Sequence, residues 1–360
     1  MKHKTFLFAI GLIVSFTSCA QQKTENVILI TLDGFRWQEL FSGADQELIS
    51  NKNYVGNPEA LSAQFWRESP SERRSLLMPF FWEVIAIEGQ LLGNRLLGSN
   101  MNVTNTMRFS YPGYNEILTG KADDEHISSN DKVLNPNQTI LELANNTQEF
   151  KGKVAAFGSW DVFPYIINEE RSGVPVNAGF EKSKDEPLSM KEQFLNELQD
   201  QVPSPWGSVR LDAFTHHYAL EYIKKHQPRL VYIAYGETDD FAHDGEYDHY
   251  LKSARQTDEF IREIWEYVQA TPAYKDKTTL IITTDHGRGT EYEGAWKDHW
   301  KEVENSDQIW LAAIGPDVKP KGESKEGQFF QNQVAATILE LLSIEFSPAE
   351  KGKSLKVLTK

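Results

Sequence analysis

Apolar, β-branched runs recur along the chain, each closed by a turn signal. Four are strong, at 26–32 (NVILITL), 229–235 (RLVYIAY), 278–284 (TTLIITT) and 309–315 (IWLAAIG), and 153–158 (KVAAFG) is a weaker fifth. Near-continuous hydrophobicity over this length describes strands covered on both faces, as in a parallel sheet. Between them the period becomes that of a helix. The segment 254–269 places Phe260, Ile264 and Tyr267 on one stripe, 333–342 repeats the pattern, and 78–93 is a third helical segment, broken by Gly89. Strands alternating with helices predict an α/β fold with a central, mostly parallel sheet sandwiched by helices. The stretch 160–208 is rich in Pro, Gly, acids and aromatics and lacks a clear period. It is expected to form a small cap insertion in which Trp160, Phe163, Tyr165 and Trp206 wall a pocket, or else a plain surface excursion.

The N-terminus changes the picture of location. Residues 1–18 carry a basic start (Lys2, His3, Lys4) and the short apolar run FLFAIGLIVSF, which is too short to span a bilayer and fits an export signal. Thr17, Ser18 and Cys19 resemble the lipobox of bacterial lipoproteins, which implies a lipid on Cys19. Ordinary cleavage after Ala20 is the alternative. The expectation is an exported, periplasmic protein held to the envelope membrane by that lipid, with residues 19–360 as one domain. Cys19 is the only cysteine of the 360 residues, so an internal disulfide and a Cys-rich zinc site are both excluded. With 52 acids against 37 Lys plus Arg the net charge is −15, which argues against a nucleic-acid polymer as partner.

In an open α/β sheet, ligands bind beyond the carboxyl ends of the strands. The first strong strand ends in Asp33 (TLDGF). The second runs into YGETDDFAHDG, where Asp239 and His243 stand four apart and share a helix face. The third ends in Asp285 and His286 (TTDHGRG), and His299 (KDHW) precedes the last. Each piece alone has an ordinary reading as a turn. Together, mixed carboxylates and imidazoles at strand ends suit Zn²⁺, with Mn²⁺ or Fe²⁺ next. Asp131 and Asp240 read as solvated surface acids, and His216, His217, His226 and His249 as ordinary histidines. Arg108 and Arg288 border these motifs; surface placement is the plain reading, and contact with a substrate anion stays open for Arg288.

VILITLDGF, YGETDDFAH and IITTDHGRG, in this order, resemble the two-metal core of the alkaline phosphatase superfamily. The resemblance is nearest to its type I phosphodiesterase and nucleotide pyrophosphatase branch and covers nearly the whole chain after the signal. It implies one ion on Asp239, His243 and His299 and another on Asp33, Asp285 and His286. FSYPGYNEILTG (109–120) resembles the family's nucleophile segment and places the nucleophile, also a metal contact, on Ser110. Asn130 falls where that branch keeps an Asn for a phosphate oxygen. The implied activity is hydrolysis of a small phosphate mono- or diester. Sulfatase relatives carry Cys/Ser-x-Pro-x-Arg, and here Tyr114 stands at the Arg position. A sulfatase-like or phosphotransfer (mutase) member, and a non-catalytic metal-binding envelope lipoprotein, are the alternatives.

Overall fold

The computed structural model describes residues 23–345 and 352–359; the expected signal segment 1–18 and the expected lipidation site Cys19 lie outside them. Among the described residues there are ten strands: β1 (Asn26–Leu32), β2 (Gln90–Leu92), β3 (Ser99–Asn102), β4 (Val154–Gly158), β5 (Val176–Ala178), β6 (Leu230–Tyr235), β7 (Thr278–Thr283), β8 (Leu311–Ile314), β9 (Gly322–Glu323) and β10 (Gly327–Phe330). The main sheet has the order β5-β4-β6-β1-β7-β8-β2-β9, and β10 pairs with β3 separately. From β5 to β7 all neighbours run parallel, while β8 is antiparallel to both β7 and β2. The sheet is therefore mostly parallel, as the apolar runs predicted.

Alternation along the central strands separates two cores. Ile28, Ile30 and Leu32 of β1 join Val231, Ile233, Leu280 and Ile282 on one face, beneath the helices Asp212–His226 and Tyr247–Ala270. Val27 and Leu29 join Leu230, Tyr232 and Ile281 on the other, beneath Ser110–Thr119, Ile140–Asn145 and Gln333–Leu341. Helices thus cover both faces.

Three local departures have physical causes. The 254–269 helix begins earlier, at Tyr247, because Tyr247, Tyr250 and Leu251 continue its buried stripe. The 78–93 pattern is not one helix: a π-turn at Phe81–Ile85 and a short turn at Ala86–Glu88 stop at Gly89, and Gln90–Leu92 is a strand. A Cβ at Gly89 would sit 2.1 Å from the Ala313 carbonyl oxygen, so only glycine lets β2 dock there. Within 160–208, β5 extends the main sheet beside β4 and the Met190–Gln201 helix packs on Asp212–His226. Phe163 lies in the core against Tyr114 and Tyr232, whereas Trp206 reaches Phe241, two residues after Asp239. Among the described residues no helix is long and apolar enough to cross a membrane.

Candidate metal centre

The strand ends converge as the parallel sheet dictates. Asp33 follows β1, its N–H continuing the ladder to the Tyr235 carbonyl. Gly34 turns the chain with φ +55°, and a Cβ there would meet Arg288 Nη2 and Asp239 Oδ1 at 2.8 Å each. Asp239 and His243 lie on one side of the Glu237–His243 helix, with Asp239 Oδ2 3.2 Å from His243 Nε2. Asp285 and His286 follow β7, both fully buried, and His299 is 2% exposed.

His286 is the hub. Its Nε2 lies 3.2 Å from Asp33 Oδ1, 3.4 Å from Asp285 Oδ2, 3.7 Å from Asp239 Oδ1 and 3.4 Å from Ser110 Oγ. His299 Nε2 lies 3.7 Å from Asp239 Oδ1 and 2.9 Å from His243 Nε2. Both buried rings have their tautomers fixed from outside. Nδ1 of His286 donates to the Gly287 carbonyl at 2.9 Å, and Nδ1 of His299 to the Arg108 carbonyl at 3.3 Å. Each Nε2 is thereby left a bare lone pair aimed inward, the usual arrangement behind a metal-bound imidazole.

The carboxylates call for cations equally plainly. Asp33 Oδ1 and Asp285 Oδ2 are buried and, among the described residues, have no hydrogen-bond donor. Such oxygens are costly unless a cation meets them. Burial, then the Asp239 charge, pushes the Asp33 carboxyl well above the usual range; burial, then Asp33, does the same to Asp285. Burial acts likewise on Asp239, but Arg288 and His243 outweigh it and hold that group well below. Three carboxylates this close cannot all ionise beside one arginine without further positive charge. Asp33, Asp285 and His286 offer one convergent set, and Asp239, His286 and His299 an adjoining one with His243 at its rim. The donor set fits divalent metal of the mixed N/O type.

The helix Ser110–Thr119 delivers the hydroxyl. Ser110 is its first residue and Pro112 lies in its first turn. Gly113 lets it press on the Asp285 main chain, where a Cβ would be 2.4 Å from the carbonyl oxygen. Asn130 lies beside it: its Oδ1 accepts the Tyr111 N–H at 3.0 Å. Arg288 does not reach outward. Nε donates to Gly34 O, Nη1 to Lys297 O, and Nη2 to the Asp239 main chain and carboxylate.

Several participants escape sequence reasoning. Tyr114 enters the sequence reading only as the residue at the sulfatase arginine position, yet its hydroxyl donates to Asp33 Oδ2 at 2.8 Å; the i,i+4 spacing from Ser110 was the available signal. Gln331 donates to the Thr284 and Asp285 carbonyls at 3.1 and 2.6 Å. Asp240 is half-buried rather than fully solvated, and burial, then the Asp239 charge, pushes its carboxyl up to about 9. His216, His217 and Glu263 form a further cluster. There Tyr235 and Glu263 satisfy His216, and Lys191 Nζ meets His217 Nδ1 at 3.4 Å, so no cation is called for.

Residues 188–346 match the model of the Metalloenzyme superfamily, a segment that carries Asp239, His243, Asp285, His286 and His299. The whole fold is shared with the alkaline phosphatase PafA, at 11% identity and a TM-score of 0.60, covering 95% of this chain and all of that one. The chain thus has an alkaline phosphatase-like fold, and its segment 188–346, less than half of its length, is similar to the metalloenzyme superfamily. Murine ectonucleotide pyrophosphatase/phosphodiesterase 5 has the same fold at 12% identity and a TM-score of 0.54, over 91% of this chain and 97% of that one. Sulfatases share it too. A curated relative, the 2,3-bisphosphoglycerate-independent phosphoglycerate mutase of Haloquadratum walsbyi, is 25% identical over 156 residues, 43% of this chain. That match spans 29% of the relative's length. Phosphatases, sulfatases and mutases thus all stand among the proteins this chain is similar to.

Proposed function

We propose that this protein hydrolyses phosphate esters through Ser110, with two divalent cations, zinc foremost and Mn²⁺ or Fe²⁺ as alternatives. The supporting observation is Ser110 Oγ, at a helix N-terminus, 3.4 Å from His286 Nε2 and beside two buried carboxylate oxygens without donors. Asp33, Asp285 and His286 would hold one ion, with Ser110 at its edge; Asp239, His243 and His299 would hold the other. Bound cations supply the positive charge that acidifies a hydroxyl and neutralises a transferring phosphoryl group. The positive end of the helix favours the Ser110 alkoxide in the same direction. In the first step Oγ forms a bond to phosphorus as the ester P–O bond breaks and the alcohol departs. Water then displaces Ser110, so ester and water become alcohol and phosphate. Asn130, whose Oδ1 accepts the Tyr111 N–H next to Ser110, would donate from Nδ2 to a phosphoryl oxygen.

Tyr114 favours phosphate over sulfate chemistry, since the position of the sulfatase arginine is occupied by a side chain committed to Asp33. Similarity to a mutase supports a second reading, in which another alcohol replaces water in the second step. The substrate is proposed to be a small ester, on the acidic balance of the chain, and the protein exported and lipid-anchored at Cys19. The mass of the mature N-terminus checks the anchor. Turnover of an aryl phosphate and an aryl phosphodiester with Zn²⁺ or Mn²⁺ tests the reaction. Activity on at least one is expected, and its persistence in Ser110→Ala would remove the nucleophile.

A further inference from the structure

We infer that Tyr114 is a positioning residue of the metal centre, dividing the two oxygens of Asp33 so that Oδ2 is tied to the protein and Oδ1 is presented to a cation. The inference rests on the metal-centre reading above. Tyr114 is 1% exposed and lies one turn after Ser110, on the same face of the Ser110–Thr119 helix. Its hydroxyl donates to Asp33 Oδ2 at 2.8 Å. The other oxygen, Oδ1, has no donor and lies 3.2 Å from His286 Nε2. A carboxylate that follows a strand can turn about two torsions, and the phenol restrains them from outside.

The phenol is itself held rigidly. Phe163 packs edge-on at 4.8 Å between ring centroids, and Tyr232 at 6.5 Å. Gly113, the preceding residue, lets the helix lie against Asp285 closely enough for the hydroxyl to reach Asp33. A tyrosine loses little side-chain freedom in such a setting, and its hydroxyl is a precise tether. One further consequence follows from the shared helix face. Ser110 and the Asp33 carboxylate cannot move apart without breaking this bond, so the hydroxyl and the cation site keep a fixed separation.

Outer partners of metal ligands typically change affinity by about 10- to 100-fold when removed. The test compares Tyr114→Phe with wild type for Zn²⁺ affinity, by competition with a chromogenic chelator, and for melting of the metal-free protein. Tyr232→Phe is the control, since Tyr232 belongs to the same aromatic cluster but its hydroxyl meets Thr31 Oγ1 at 3.0 Å, not a ligand. Tyr114→Phe is expected to weaken one zinc-binding step by about 10- to 100-fold. Tyr232→Phe is expected to bind as wild type, and all three metal-free proteins to melt within a few degrees of one another. Equal affinity in Tyr114→Phe and wild type overturns the assignment, as do equal losses in both variants, which would mean general packing. A wild type that binds no divalent ion overturns the metal-centre reading itself.

Discussion

Gly113→Ala separates the geometry of the site from the stability of the fold. The added Cβ would stand 2.4 Å from the Asp285 carbonyl oxygen, 2.9 Å from its carbonyl carbon and 3.1 Å from its Cβ. All three atoms belong to one buried residue, so no flexible side chain can yield. Ordinary contact begins near 3.4 Å, so the helix and the Asp285 turn must separate by about 1 Å, an overpacking cost of about 1–3 kcal/mol. Alanine returns about 1 kcal/mol of helix preference over glycine, which leaves a net loss of at most about 2 kcal/mol. A displacement of about 1 Å between a nucleophile and its activating groups costs about 100-fold in rate, or about 2.7 kcal/mol of barrier, and falls on turnover rather than on folding. The assay is turnover of an aryl phosphate by the zinc-loaded variant, with metal content and melting measured on the same sample. A folded, loaded Gly113→Ala enzyme with wild-type kcat would refute the claim that this contact sets the position of Ser110.

Other expectations are independent of that contact. Burial holds His216 down to about 4, outweighing its contact with Glu263. Its stabilising contribution is therefore complete above the unfolded value near 6.5 and lost as pH falls toward 4, by up to about 3 kcal/mol. Urea unfolding against pH should show that loss, and His216→Gln should flatten it. Asp258 accepts the Phe80 and Phe81 N–H groups at 2.8 and 2.9 Å, while burial pushes its carboxyl up to about 6. Its folded value is raised, so its contribution is fullest at low pH and declines as pH rises from about 4 through 6. Asp258→Ala, which strands both buried N–H groups, should cost about 2–3 kcal/mol in urea unfolding, and Asp258→Asn distinctly less. Zinc at 100 times its dissociation constant should stabilise the fold by about 2.7 kcal/mol in calorimetry. A chelator should reverse this, and Asp285→Asn should diminish it.

Much of this architecture is legible along the chain because its strands are covered on both faces. A buried parallel strand such as NVILITL must be apolar throughout, and β1 spans the run expected of it. The sheet margins obey no such rule. The exposed strand β10 shows no alternation, and β2 follows Gly89 in a segment whose apolar spacing imitates a helix. Antiparallel β8 reads like its parallel neighbours because burial, not direction, sets composition. At the site, strand ends announce Asp33, Asp239, Asp285 and His286, since the sheet fixes where they emerge. The structure brings them together with His243, His299 and Ser110. What pattern cannot supply is the support around them. Tyr114 has the composition of a core residue, and Arg288 borders the motif but spends its donors on Gly34, Lys297 and Asp239. Asp240 gives no local sign that its carboxyl is pushed up, because two of the acids that crowd it, Asp33 and Asp212, come from elsewhere in the chain.

The account stands most directly on the chemistry of one hydroxyl. Zinc-loaded enzyme mixed with an aryl phosphate or phosphodiester substrate and quenched in acid within a turnover should yield a phosphorylated peptide containing Ser110. The same quench of Ser110→Ala should yield none, with turnover lost. Phosphate recovered on another residue, or undiminished turnover without Ser110, would contradict the assignment of this helix N-terminus as the nucleophile of the metal centre.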